Sequence, residues 1–259
     1  MNTVTALASI VLKELYRRKD FYVLFVLTVV ITLAMWAVRF FNDPGIVRHV
    51  KEICLLLIWL SGVVIALTMT ARQIPAERES RTIFPLLAKP VTRAQVILGK
   101  FLGCWLAIGL CLLVFYTFLF CLSGSREGTW PALNYFQGFW LQWCALAVVI
   151  AIVLLGSVLF TSPAENVTIC FFLVLGMLWI GGHLKDIAFS RPEPLRSVIY
   201  SVYFVIPHLE WYDIRDLIVY NKPLVPWGPF LLVTVYAAVY AALFLFVTWL
   251  VFRRKALTA

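Results

Sequence analysis

Glu77-Arg-Glu-Ser-Arg-Thr-Ile-Phe-Pro-Leu-Leu-Ala-Lys-Pro-Val-Thr-Arg-Ala-Gln-Val-Ile-Leu-Gly-Lys-Phe-Leu-Gly103 is the stretch whose reading decides the fold. Charge is dense here and sparse in the long apolar segments on either side. A chain that otherwise avoids charge has placed a polar platform between two apolar segments, on one side of a membrane, where a partner from the aqueous phase can dock. Glu77 and Arg81 stand four residues apart in the order that supports a short helix. Pro85 and Pro90 limit that helix. Thr92 with Gln95 forms a capping box that starts the next one. Gly99 and Gly103 give a GxxxG spacing at its entry, which reads as close helix packing.

Working outward, the rest of the chain is strongly apolar. Of 259 residues, 63% are hydrophobic and 14% charged, and the mean hydropathy is +0.93. Apolar runs near twenty residues cross a bilayer as helices. Six such runs are expected, at about Phe21–Phe41, Ile53–Ala71, Val96–Leu122, Phe136–Phe160, Val167–His183 and Pro229–Phe252. They form a single transmembrane domain over residues 1–259. The expected fold is therefore an all-α polytopic membrane protein with six transmembrane helices. The N-terminus reads as a charged amphipathic segment, not as a cleavable signal peptide.

Charge sets the orientation. With a cytoplasmic N-terminus, thirteen of the 22 basic residues and five acids fall inside, a net of +8. Nine bases and eight acids fall outside, a net of +1. The excess of lysine and arginine on cytoplasmic segments favours this topology, with both termini inside. The overall charge of +9 is thus a topology signal, and no basic patch interleaved with aromatics points to nucleic acid.

Residues 1–20 read as a surface helix. Val4, Leu7, Val11 and Leu15 recur at helical spacing, with Lys13 and Arg17 on another face, as in a helix lying in the membrane interface. Asp20 caps the start of the first span. Residues 72–93 form the cytoplasmic coupling region. Ser162-Pro-Ala-Glu165 is a second capping box with proline at the first helical position. Asn166-Val-Thr168 matches a glycosylation sequon, but it falls on the cytoplasmic side and reads as chance. Residues 184–228 form an extracytoplasmic segment containing Pro192, Pro194, Pro207, Pro223 and Pro226. Within it, Leu195–Ile206 is apolar yet too short to cross, as in a re-entrant helix. Tyr200, Tyr203 and Phe204, with Trp211, Tyr212 and Trp227, suit the outer interface.

Chemistry of its own is missing. The six cysteines lie in or beside apolar spans without a CxxC pair, as small buried hydrophobes do. His49, His183 and His208 are scattered, so no metal site is expected. No GxxxxGK[ST] loop is present to bind ATP. No span carries a central ionisable residue of the kind that marks proton or ion relays. That weighs against a self-sufficient secondary carrier and against an intramembrane enzyme, the two alternative readings.

The layout resembles an ABC-2-type ABC transporter permease, similar to the transmembrane subunit of type V exporters. The specific likeness is carried by Glu-Arg-Glu-Ser-Arg-Thr-Ile, by Lys-Pro-Val-Thr-Arg and by Leu-Gly-Lys-Phe-Leu-Gly, all within Glu77–Gly103. The family patterns are ExExGT, RPVSR and LLGKLLG. Arg81 stands where glycine is common, and Pro85 interrupts the expected helix. The resemblance implies a permease without a catalytic site or cofactor, driven by a separate ABC ATPase dimer that holds ATP and magnesium. It implies export across a bacterial inner membrane and pairing with a second permease copy or a related one. It places the ATPase contact at Glu77, Glu79, Arg81 and Thr82, with Lys13 and Arg17 on anionic headgroups. The cargo does not follow from these residues.

Overall fold

The structure is a computed structural model. It describes residues 44–75, 92–189 and 206–254, together with Ser9, Val26, Val29, Glu193, Arg196, Ser197, Ser201 and Tyr203; for 44–47, 126 and 179–189 it describes the backbone. The expected surface helix with Lys13 and Arg17, most of the first span, Glu77, Glu79, Arg81 and Thr82 of the platform, and Tyr200 and Phe204 lie outside the described residues.

The described chain is helical. It runs through α1 (Pro44–Ala71), α2 (Arg93–Glu127), α3 (Ala132–Leu159), α4 (Pro163–Phe189), a short 3-10 turn (Leu209–Tyr212), α5 (Arg215–Val219) and α6 (Trp227–Arg254). Among the described residues, four helices are long and apolar enough to cross a membrane: Arg48–Ala71, Arg93–Ser125, Ala132–Leu159 and Trp227–Arg254. They coincide with the second, third, fourth and sixth runs expected from hydropathy. The fifth run lies inside α4, which is 27 residues long.

Every one of these helices extends beyond its apolar run. The largest difference is at α1, expected from Ile53 and observed from Pro44. Proline suits a first helical turn because its missing N–H would have no intrahelical partner there. One charge in these added turns is buried and paired: Lys51 Nζ lies 2.6 Å from Glu127 Oε1 of α2. Its side chain is 2% exposed, against 21% for Glu127.

The helices alternate in direction, so the bundle has two ends. The C-terminus of α1, the N-termini of α2 and α4 and the C-termini of α3 and α6 share one end, next to residues 76–91. We call it the platform end. The other, here the cap end, carries residues 206–226. Helix α3 is the core of the bundle. It touches α1, α2, α4, α5 and α6 and buries residues almost continuously from Leu141 to Val158.

Tryptophan and glycine join α2 to α3. Trp105 and Trp143 stack with ring centroids 4.3 Å apart. Trp105 Nε1 donates to the carbonyl of Trp143 at 3.1 Å, and Trp143 Nε1 to the carbonyl of Trp105 at 2.9 Å. An indole N–H buried in apolar surroundings needs such an acceptor. Gly109 makes the approach feasible, because a Cβ there would sit 2.5 Å from Trp143 Nε1. Gly99 and Gly103 are buried, in keeping with the packing role expected for them.

Local punctuation follows the sequence where side chains cap helices. Gln95 N–H donates to Thr92 Oγ1 at 3.3 Å, and Thr92 N–H to Gln95 Oε1 at 2.9 Å. The expected capping box is therefore formed. Helix α2 ends at Gly128, whose φ of 65° is left-handed and whose N–H reaches the carbonyl of Gly124. Glycine takes that conformation without a Cβ clash. Helices α3 and α4 are locked by Asn166, which is fully buried. Its Nδ2 donates to the carbonyl of Val153 at 3.1 Å, and its side chain fills the place a Cβ on Gly156 would occupy. The side-chain amide of the sequon is thus held inside the bundle, consistent with a chance match.

Replacing Gly109 with valine should expel the Trp143 indole and break both indole hydrogen bonds. Overpacking of this kind costs about 1–3 kcal/mol. The expected outcome is a lower midpoint of thermal aggregation in detergent, followed by size exclusion. Trp143→Phe, which keeps an aromatic ring of smaller size and loses the donor, should lower it less.

Candidate functional site

At the platform end, each border of residues 76–91 is braced. The chain leaves α1 through a turn in which Gln73 N–H donates to the carbonyl of Thr70 at 3.1 Å. Lys100 of α2 then donates Nζ to the carbonyl of Gln73 at 2.7 Å, with Gln73 Oε1 at 3.5 Å. Both side chains are buried. A helix C-terminus presents carbonyls without intrahelical donors and partial negative charge, and an ammonium satisfies both. The far border begins at Thr92. The next residue, Arg93, donates Nη1 to the carbonyls of Phe252 at 2.7 Å and Arg253 at 3.0 Å. Its guanidinium lies over the Phe252 ring, 5.5 Å from the centroid. Arg93 therefore closes the C-terminal end of α6.

The sequence reading treated Lys100 as one more positive charge on the cytoplasmic side. The signal it missed is position. Lys100 falls on the same helical face as Val96, Ile97 and Cys104, all buried, so its ammonium has to find a partner inside the protein.

At the cap end, residues 206–226 fold over α1, α3 and α6. The backbone of this segment is held by side chains of α3. Asn134 Nδ2 donates to the carbonyls of Leu217 at 3.3 Å and Lys222 at 3.0 Å. Gln137 pairs with Val225 in both directions at 3.0 Å, donating to its carbonyl and accepting from its N–H. Ile218 is fully buried and seats against Gly138, where a Cβ would lie 2.8 Å from Ile218 Cδ1. From α1, the Arg48 guanidinium lies 5.1 Å over the Tyr220 ring. From α2, Glu127 Oε2 accepts a long 3.5 Å bond from Asn221, which holds a positive φ of 47°. Asparagine tolerates that conformation better than most residues.

Helix α6 completes the attachment. Tyr212 OH donates to the carbonyl of Val233 at 3.0 Å, and His208 N–H to Tyr236 OH at 3.2 Å. Under the cap, Trp59, Tyr116, Gly138, Gln142, Tyr212 and Ile218 line a recess together with Asp213, Ile214 and Arg215. Tyr116 OH donates to Gln142 Oε1 there at 2.7 Å. Of the three aromatics expected in a re-entrant segment, Tyr203 is described; its ring lies 4.2 Å from that of His208.

Long apolar helices with paired polar groups at their ends are what the family comparison also points to. Residues 6–257 match the family described as ABC-2 family transporter protein. The chain belongs to that family. A comparison with curated proteins returns no match. As an ABC transporter permease it is a multi-pass membrane protein and a transport component, not itself a catalyst, and its family implies an ABC ATPase partner. Among the described residues no group of His, Cys, Asp and Glu is arranged to hold a metal. Five of the permease's six cysteines are buried, Cys121 being exposed, and all are free thiols.

Two titrations bear on the cap. The Asp213 carboxylate, bonded to Arg215 at 2.8 and 2.7 Å, holds the guanidinium still more firmly protonated. Burial pushes the His208 imidazole below its ordinary 6.5, with Glu210 Oε1 3.7 Å from Nδ1 and the rings of Tyr203, Trp211 and Tyr236 around it. A histidine held neutral contributes stability above its ordinary pKa and loses it as pH falls through the lowered one. Acidification from pH 7 to pH 5 should therefore loosen residues 206–212. Hydrogen exchange, corrected for its intrinsic pH dependence, should show reduced protection there, and His208→Gln should remove the pH dependence.

Proposed function

We propose that this permease is the six-span transmembrane subunit of an ATP-driven exporter, with the platform end in the cytoplasm and the cap on the outer face. The observation that carries the reading is the bracing of both borders of residues 76–91. A segment that receives force from a partner has to pass it to the helices on either side. Lys100 ties its entry to α1 and α2 together, and Arg93 ties its exit to α6. The charge balance across the expected spans supports the same orientation.

In this reading an ABC ATPase dimer binds two permease copies, identical or related, and carries the ATP and magnesium. Its contact is with Glu77, Glu79, Arg81 and Thr82, while Lys13 and Arg17 hold the N-terminal helix to anionic headgroups. Closure of the ATPases shifts packed helices between discrete arrangements. On the outer face Leu195–Ile206 dips into the membrane, and the cap at 206–226 closes the pathway behind the cargo. The membrane is the bacterial inner membrane.

The docking surface is tested by charge reversal. The double variant Glu77→Lys with Glu79→Lys should still insert and keep its melting midpoint, while the ATPase copurified with it falls several-fold. Undiminished copurification would move the docking site elsewhere. The topology is tested separately. A membrane-impermeant thiol reagent should reach a cysteine replacing Ser80 from the cytoplasmic side and one replacing Ser190 from the outside. Labelling of both from one face would overturn the six-span arrangement.

A further inference from the structure

The cap is held by α1, α2, α3 and α6, and the last two differ in character. Its attachment to α3, through Asn134 and Gln137, is to the core helix, which is enclosed by its neighbours. Its attachment to α6, through Val233 and Tyr236, is to a helix on the rim. Helix α6 buries Phe230, Ala237, Ala241, Thr248 and Phe252, a single stripe with alternating steps of seven and four. Leu232, Val235, Val239 and Phe246 on the rest of its surface are exposed. A shift of α6 disturbs less packing than a shift of α3 does. It is also one unbroken helix of 28 residues, about 42 Å long at 1.5 Å per residue, so a displacement at one end reaches the other.

The platform end of α6 is gripped by Arg93. Its guanidinium holds the last-turn carbonyls of Phe252 and Arg253, and Arg93 is itself the first residue of α2 after residues 76–91. Both bonds come from the one nitrogen Nη1, so the two last-turn carbonyls are tied to a single donor group. The described contacts thus form a continuous chain from Arg93 through α6 to Tyr212 and His208.

We infer that Arg93 is a positioning residue that couples the platform to the cap through α6, so that displacement of one changes the hydrogen bonding of the other. Helix α3 holds the cap through Asn134 and Gln137, and α6, itself bonded to α3 by Trp140 Nε1 on Thr234 Oγ1 at 3.2 Å, carries the link from Arg93 to the cap. The purpose of this link rests on the exporter reading, but its existence is a property of this chain alone. It is therefore testable without an ATPase. Charge reversal at Glu77 and Glu79 can fail as a docking test while the link stands.

Coupling between sites is reciprocal, so the link can be driven from the cap. The permease in lipid nanodiscs is compared by hydrogen-exchange mass spectrometry in four forms: native, Tyr212→Phe, Arg93→Gln and the double variant. Tyr212→Phe removes the hydroxyl that donates to Val233. It should speed exchange in peptides covering 92–97 and 248–254 by about fivefold or more, the lower range for coupled sites. In the Arg93→Gln background the same change should leave peptide 92–97 at the level of Arg93→Gln alone. Arg93→Lys, which keeps a cationic donor, should restore part of the response. If Arg93→Gln loosens α3 as well, the cycle built on Arg93→Lys decides, and a response smaller than native is the supporting result. The inference is overturned if Tyr212→Phe alters 206–226 but not 92–97, or if its increment at 92–97 is the same in every background.

Discussion

Backbone that is not helical has to find its hydrogen-bond partners inside the protein when it lies against a bilayer. The irregular backbone of residues 206–226 has partners of two kinds, its own turns and the side-chain amides of the core helix. Asn134 and Gln137 stand three residues apart on α3, so they project from one face and reach three carbonyls and one N–H of the cap. The shape of the cap end depends on this arrangement. The glycine at 138 that admits Ile218, the left-handed Asn221 and the recess above Gln142 all follow from holding a short irregular segment close to α3.

The same economy of polar groups appears at the opposite end. Lys100 and Arg93 are directed at carbonyls that helix geometry leaves without donors. A buried lysine on a carbonyl and a buried lysine on a carboxylate, Lys51 with Glu127, place cationic side chains near the two ends of the α1–α2 pair. Between them the interior is joined by indole rings and small residues. Charge is therefore used where helices end, and shape is used where they cross.

Much of this was legible in the sequence, for reasons that differ by residue. The four described spans announced themselves because a run of twenty apolar residues has few alternatives to a buried helix. The Thr92–Gln95 box was legible because its two partners are three residues apart. Lys51 was not, because its partner Glu127 is distant in sequence. Lys100 could have been recognised from its place on an apolar face. Asn134 and Gln137 carried a similar signal, two amides on one face at the start of an apolar helix. The cap itself was obscured because its attachments come from side chains on helices far apart in the chain. The apolar run Leu195–Ile206 is more continuous and is the stronger signal in the sequence.

The Asn166–Val153 bond has a consequence for how the protein is made. It joins residues thirteen positions apart across a turn of a few residues, so the loop it closes is short and its entropic cost small. Helices α3 and α4 can thus zip together as they leave the insertion machinery, before α6 has been synthesised. An α3–α4 hairpin closed this early would give α6 a surface to pack on once it is made.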